Sequence, residues 1–237
     1  MDTILIAGYP RSGNVWIARL LGDALDRPID GGSLAAEGQD RPGLGRVMQA
    51  HFWPGTERKP LQINGQLRQD KRPILVVRDP RDVLVSAAAY WDWTLEQAFG
   101  YMVEGPGPLN LPSWRTYVEA WLQERVPIVR YEDFHQDALG ELNRLLEKLG
   151  DEPRKPLEEV VERQSFAVKR AEMDNKGDDY PFGRTAQLRH LRRGSTGEWR
   201  TALPSSLARK ATTAWLSLLS RLGYHHERGL SCSEPEI

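Results

Sequence analysis

Gly8-Tyr9-Pro10-Arg11-Ser12-Gly13-Asn14-Val15 sets two glycines around a short turn with a cation inside it. Between a strand and a helix, such a turn lets backbone N–H groups and the positive end of the helix dipole bind an anion. A nucleotide-hydrolysing loop would read G-x-x-x-x-G-K-[ST], its lysine on the outer phosphates and its hydroxyl on Mg²⁺. Asn14 and Val15 stand at those two positions, so the turn suits an anion but is poorly equipped for a triphosphate. Read alone, it is equally a glycine turn with no ligand. Two arginine groups lie further on. Arg78 and Arg81 alternate with Asp79 and Asp82 and in isolation read as ion pairs, and Arg192-Arg193 reads as a solvated basic face. Of the five histidines, His51 follows the strand-like run Arg46–Ala50, and an imidazole near its reference pKa of ~6.5 suits a general base at neutral pH. His135, His190, His225 and His226 have no comparable setting. The adjacent pair His225-His226 has no further ligands nearby, and no metal requirement is expected.

The elements that must position these residues follow from periodicity. Thr3–Ala7 and Pro73–Val77 are short, continuous apolar runs, the pattern of strands buried on both faces of a parallel sheet. A third strand reads at Val126–Arg130. Helical spacing covers Asn14–Leu25 with Asn14 as its cap, then Pro80–Val103, Trp114–Glu124, Leu139–Leu149, Leu157–Arg163 and Leu203–Leu222. Strands alternating with helices predict an α/β fold with a P-loop-like central parallel β-sheet flanked by helices. Gly31–Gly45 and Arg170–Arg193 read as loops, where recognition residues usually sit on an α/β scaffold.

At 237 residues the chain fits one α/β domain. With 40% hydrophobic and 27% charged residues it is neither disordered nor fibrous. A net charge of −1 argues against a general nucleic-acid coat, so no nucleic-acid partner is expected. The single cysteine, Cys232, excludes an internal disulfide framework and a cysteine metal cluster. An acidic start, a very short apolar run and the absence of ~20 consecutive apolar residues argue against a signal peptide and a membrane span. A soluble, cytoplasmic protein is expected.

The loop resembles the 5′-phosphosulfate loop of sulfotransferases that use 3′-phosphoadenosine 5′-phosphosulfate (PAPS). That loop reads close to Tyr-Pro-Lys-Ser-Gly-Thr-Thr-Trp, and this chain has Tyr9 to Trp16 as Tyr-Pro-Arg-Ser-Gly-Asn-Val-Trp. The family's 3′-phosphate stretch, Arg-Asn/Asp-Pro-Arg/Lys-Asp-x-x-x-Ser, is matched by Arg78 through Ser86. Its Arg-Lys-Gly-x-x-Gly-Asp/Glu-Trp element is similar to Arg192 through Trp199, with Arg193 in place of lysine. The resemblance implies one sulfotransferase domain over residues 1–237. Its 5′-phosphosulfate loop would be 8–16, its 3′-phosphate elements 78–86 and 192–199, and its tail would begin at about 224.

It also implies roles. The amides of Arg11, Ser12, Gly13, Asn14 and Val15 would cradle the 5′-phosphate while Arg11 neutralises developing charge. Arg78, Ser86, Arg192, Arg193 and Gly194 would bind the 3′-phosphate. Trp16 and Phe166 would flank adenine and Tyr131 would touch its edge, although Trp16 and Tyr131 are equally readable as packing residues. His51 falls where the family reads Lys-Thr-His, here Gln49-Ala50-His51, so the base is kept and the lysine is replaced by Gln49. The expected reaction moves a sulfuryl group from PAPS to a hydroxyl of a small-molecule or saccharide acceptor and releases 3′,5′-ADP. Phe52, Trp53, Tyr90 and Trp91 are candidate acceptor contacts. A P-loop nucleotide or nucleoside kinase and a catalytically silent PAPS- or 3′,5′-ADP-binding protein are the alternatives. The short interval before His51 suggests a compact bacterial member. The family's Lys-Thr-Val-Glu dimer motif is absent after Trp199, which leaves the oligomeric state open.

Overall fold

The computed structural model describes residues 3–31, 34–37, 45–51, 54, 62–63, 66–67, 71–106, 110–176, 189 and 191–224. The described strands are β1 (Thr3–Gly8), β2 (Ile29–Gly31), β3 (Leu34–Glu37), β4 (Arg46–Ala50), β5 (Gln62–Ile63), β6 (Gln66–Leu67), β7 (Lys71–Val77) and β8 (Ile128–Arg130). The described helices are α1 (Asn14–Ala24), α2 (Pro80–Trp91), α3 (Leu95–Glu104), α4 (Trp114–Gln123), α5 (Tyr131–Gln136), α6 (Ala138–Leu149), α7 (Leu157–Arg163), α8 (Phe166–Lys176), α9 (Trp199–Ala202) and α10 (Ser205–Arg221). The chain divides into two compact units, one of residues 1–78 and 116–196 and one of residues 79–115 and 197–237.

The first unit holds the sheet, ordered β3-β2-β4-β1-β7-β8. Its five strands from β2 to β8 run parallel and β3 joins the edge antiparallel. Central β1 pairs Ile6 with Gln49 of β4 on one side and with Ile74 of β7 on the other. Every residue of β1 is buried, which is why the run is apolar throughout instead of alternating. Ile4, Ile6, Val47, Ile74 and Val76 form a core with Ile17, Leu20 and Leu21 of α1, Leu142 and Leu145 of α6 and Val160 of α7. All parallel strands end at the same edge of the sheet. In open α/β sheets the crevice outside that edge is where ligands bind.

In the second unit, α2 and α3 pack with α9 and α10. Trp114 and Trp215 meet edge to face at 5.8 Å, and Phe99 meets Trp215 at the same distance.

Several sequence expectations are corrected. Gly13, at φ 96°, is the cap residue of α1, and Asn14 is the first helical residue. The segment from Pro80 to Val103 is two helices, because Asp92 turns left-handed at φ 58° and Thr94 forms a capping box with Gln97. Its apolar spacing runs through the break, so periodicity did not reveal it. The last helix starts at Ser205 rather than Leu203, with Pro204 as its cap residue. The third strand starts at Ile128, after a left-handed turn at Arg125. The stretch 31–45 contains β3, and 170–176 is the end of α8. Among the described residues no helix is long and apolar enough to cross a membrane.

Asp23 ties α1 to the chain around α7. It accepts from Lys155 Nζ at 2.9 Å, Arg163 Nε at 2.8 Å and Gln164 Nε2 at 2.8 Å. Burial alone would raise its pKa, but the hydrogen bonds from Arg163, Gln164 and Lys155 bring it down to about 2. A carboxyl lowered on folding stabilises the fold above its unfolded value of 3.8 and loses that contribution as pH falls toward 2. Asp23→Asn should cost roughly 1–2 kcal/mol at pH 7. The difference in melting temperature from the parent should close between pH 4 and 2 in a calorimetric series.

Candidate nucleotide and transfer site

The first unit brings the loop residues together at the end of β1. A Cβ on Gly8 would collide with Asn14 Oδ1 and approach the Val76 carbonyl to 2.8 Å, so only glycine fits. Ser12 N donates to Tyr9 O at 3.1 Å and closes the turn. Arg11 holds φ 72°, a left-handed conformation that costs a non-glycine residue about 1–2 kcal/mol. Such an outlier is expected where a loop is shaped for a ligand. Gly13 is left-handed too, and the Tyr131 ring occupies the space its Cβ would need. The first N–H groups of α1 have no partner within the helix. They face the loop with the dipole behind them.

Charge and polar groups converge there. Arg78, at the end of β7, donates from Nη1 to Arg11 O at 3.1 Å and from Nη2 to Ser195 O at 2.8 Å, and stacks on Tyr131 at 4.6 Å. It thus braces the anion loop against the 192–196 segment. Arg11 Nη2 donates to Arg189 O at 3.0 Å. Ser12 Oγ, Asn14 Oδ1, Gln49 Oε1 and Arg78 Nε are buried without a hydrogen-bond partner. A buried unsatisfied group costs about 1–3 kcal/mol, and the Ser12 hydroxyl and Arg78 Nε are donors of the type a phosphate oxygen would accept from. The Ser12 hydroxyl therefore fits an anionic group at the loop, and Arg78 Nε fits one beside it.

The aromatic residues are also placed. Trp16 packs edge to face on Tyr131 at 5.7 Å and on Phe134 at 6.3 Å, and its Nε1 donates to Gln164 O at 3.0 Å. That bond links it to the turn just before Phe166. Phe166 is 37% exposed and lies where a Cβ on Gly194 would fall. Tyr131 is buried, with Arg78 over its ring and Gly13 against its edge. Arg192 is half-buried and Arg193 exposed.

His51 stands just past β4, beside the loop. Its Nδ1 lies 2.9 Å from Gly8 O and 3.3 Å from Asn14 Nδ2, and its Nε2 lies 3.2 Å from Gln49 Nε2. A carbonyl only accepts, so the Gly8 contact assigns the proton to Nδ1 and the lone pair to Nε2. Burial lowers the His51 pKa below its usual 6.5; the Gly8 bond opposes the shift and the Arg11 charge adds to it.

In the second unit Ser86 is buried on α2, and Tyr90 and Trp91 join Trp93 and Tyr101 in an aromatic cluster with the two indoles stacked at 5.0 Å. Phe52, Trp53, His190, His225, His226 and Cys232 lie outside the described residues. Arg81 and Asp82 hold the unit together. Arg81 donates two hydrogen bonds to the Asp79 carboxylate, Nε to Oδ1 at 2.9 Å and Nη2 to Oδ2 at 2.6 Å, and stacks on Trp199 at 3.8 Å. Asp82, 1% exposed, accepts from the Gly197 and Trp199 amides at 2.6 and 2.9 Å.

Sequence reasoning missed the Asp82 clamp and the Gln49–His51 contact. The second had a signal, since residues two apart on a strand share a face. The first, across 115 positions, had none in spacing.

A model of the sulfotransferase domain matches residues 1–223. The chain belongs to this family. The enzyme is 26% identical over 241 residues to sulfotransferase 1A1 of Rattus norvegicus, covering 84% of this chain and 78% of that one. Its fold is like that of mouse sulfotransferase SULT7A1 complexed with PAP, with a TM-score of 0.71 at 19% identity over 94% of this chain and 86% of that one. It is also like that of retinol dehydratase in complex with androsterone and PAP, with a TM-score of 0.60 at 15% identity over 92% and 80%. The sulfotransferase shares with them the five-stranded parallel sheet flanked by helices.

Asp82→Ala leaves the buried Trp199 amide and the partly buried Gly197 amide without an acceptor and should destabilise the enzyme by roughly 2–4 kcal/mol. Hydrogen exchange should show Gly197 and Trp199 among the first amides to lose protection. Unchanged protection there would reject the clamp.

Proposed function

We propose that this sulfotransferase transfers a sulfuryl group from PAPS to a hydroxyl of a small-molecule or saccharide acceptor, with His51 as general base. The observation that carries the reading is the convergence of Arg11, Ser12, Asn14, Arg78 and His51 at the end of β1, with unpartnered donors on Ser12 and Arg78. Bound PAPS supplies the sulfuryl group and leaves as 3′,5′-ADP (PAP). The amides from Arg11 to Val15 hold its 5′ end. Arg78 Nε, Ser86, Arg192, Arg193 and the Gly194 amide hold the 3′-phosphate, and Trp16, Tyr131 and Phe166 the adenine. Arg11 places positive charge where negative charge develops on the leaving side. His51 takes the acceptor proton at Nε2 while its Nδ1–H stays on Gly8 O. Tyr90 and Trp91, with Phe52 and Trp53, are assigned to the acceptor. No metal takes part in this scheme.

One observation favours a second reading, a nucleotide-binding protein without transfer activity: Gln49 rather than a lysine faces His51 Nε2. The kinase reading finds no lysine or magnesium hydroxyl at Asn14 and Val15.

Calorimetric titration separates these readings. 3′,5′-ADP should bind about a hundredfold more tightly than 5′-AMP, the effect of two or so charge-assisted bonds to the 3′-phosphate. Equal affinities, or preference for ATP-Mg²⁺, would overturn the donor assignment. Transfer from labelled PAPS to a panel of phenols and sugars should fall at least ~10²-fold in His51→Ala with 3′,5′-ADP affinity retained. A base must be neutral to act, and burial keeps His51 neutral to lower pH than usual. The acid limb of the rate profile should therefore have its midpoint below ~6.5. Binding without transfer by the parent protein would select the silent reading.

A further inference from the structure

Gln49 sits at the end of β4, two residues before His51, on the same face of the strand and 1% exposed. Its amide makes an incomplete set of bonds. Nε2 donates to the His51 Nε2 lone pair at 3.2 Å, while Oε1 is buried with no partner. Gly8 O fixes the one N–H proton of the neutral ring at Nδ1. In the neutral state the pair is therefore satisfied at the imidazole and unsatisfied at the amide oxygen. Once the imidazole gains a proton at Nε2, the same arrangement would set N–H against N–H. Half a turn of the amide removes that clash and gives Oε1 a donor. A lysine at this place has only donors and could not respond in this way.

We propose that Gln49 is a positioning residue that follows the proton on His51, donating its amide N–H to the neutral ring and, turned over, accepting from the imidazolium through Oε1. For transfer the Gln49 amide first turns away and leaves the Nε2 lone pair to the acceptor; the acceptor O–H bond then breaks, the new N–H bond forms at His51 Nε2, and the oxygen's electron pair forms the new S–O bond as the bond from sulfur to the leaving phosphate oxygen breaks. Gln49 Oε1 then shares that N–H. The inference rests on His51 being the base, but the contact itself does not require it. The charge acting on the ring is that of Arg11 on the anion loop, while Gly8 and Asn14 face it with a carbonyl and an amide.

The test is nuclear magnetic resonance of the ¹⁵N-labelled full chain between pH 5 and 9, which needs no acceptor and no turnover. At high pH His51 should show its proton on Nδ1, and the Gln49 side-chain amide signals should move with the same midpoint as the ring. Charge-assisted bonds are roughly twice as strong as neutral ones, so Gln49→Leu removes more from the imidazolium than from the neutral ring. It should lower the proton affinity of His51 about fivefold. Gln49→Glu, which only accepts, should raise that affinity about tenfold or more. A rise in Gln49→Leu would mean that the amide only donates, and no change would mean that it is mere packing; either result overturns the proposal. Retained 3′,5′-ADP binding reports that each variant is folded. Loss of the base reading through an active His51→Ala enzyme would leave these titrations as they are, so the two failures are distinguishable.

Discussion

The carbonyl of Gly8 is the group on which the site depends. It ends the central strand, and it accepts from both the Asn14 amide and the His51 ring at 2.9 Å. One acceptor thereby sets the first residue of the dipole-bearing helix and the tautomer of the candidate base. It can do so only because Gly8 carries no side chain where Asn14 must pass. The same economy recurs at Gly13, whose missing Cβ makes room for Tyr131, and Tyr131 in turn supports the Arg78 guanidinium.

Arg78 shows how a cation is kept usable in a buried place. Its two terminal nitrogens are committed to backbone carbonyls and its plane lies on an aromatic ring. Neutral partners stabilise the guanidinium without cancelling its charge, as a carboxylate would. Arg81, three residues on, is the opposite case. It is neutralised by Asp79 and closed over by Trp199, which suits a structural part.

Much of this was legible in sequence. The anion loop, β1, β7, the strand before His51 and helix α7 follow from short apolar runs, glycine placement and 3.6-residue spacing. What escaped was set by single residues or by distance. The left-handed turn at Asp92 interrupts an apolar pattern that continues on both sides of it, and β2 and β3 are too short to show a period. In the site, the loop and His51 could be singled out as candidates because their types suit the chemistry and the motifs around them resemble the family's. The bracing of Arg78 by the Ser195 carbonyl could not, because a backbone acceptor leaves no mark on residue type. Asp82 could be matched to a motif, yet its partners are amides, and amides are present at every position.

The Asp82 clamp also bears on the order in which the molecule can be made. A chain leaving the ribosome finishes α2 long before Gly197 and Trp199 exist. Until then a buried carboxylate has no amides to receive it, and the surface of α2 that will bury Trp199 faces solvent. Both compact units are built from two separated stretches of chain. Neither can close during early synthesis, and the second waits for residues 197–237. The family element from Arg192 to Trp199 is thus also the stretch that brings the Asp82 carboxylate its amide partners.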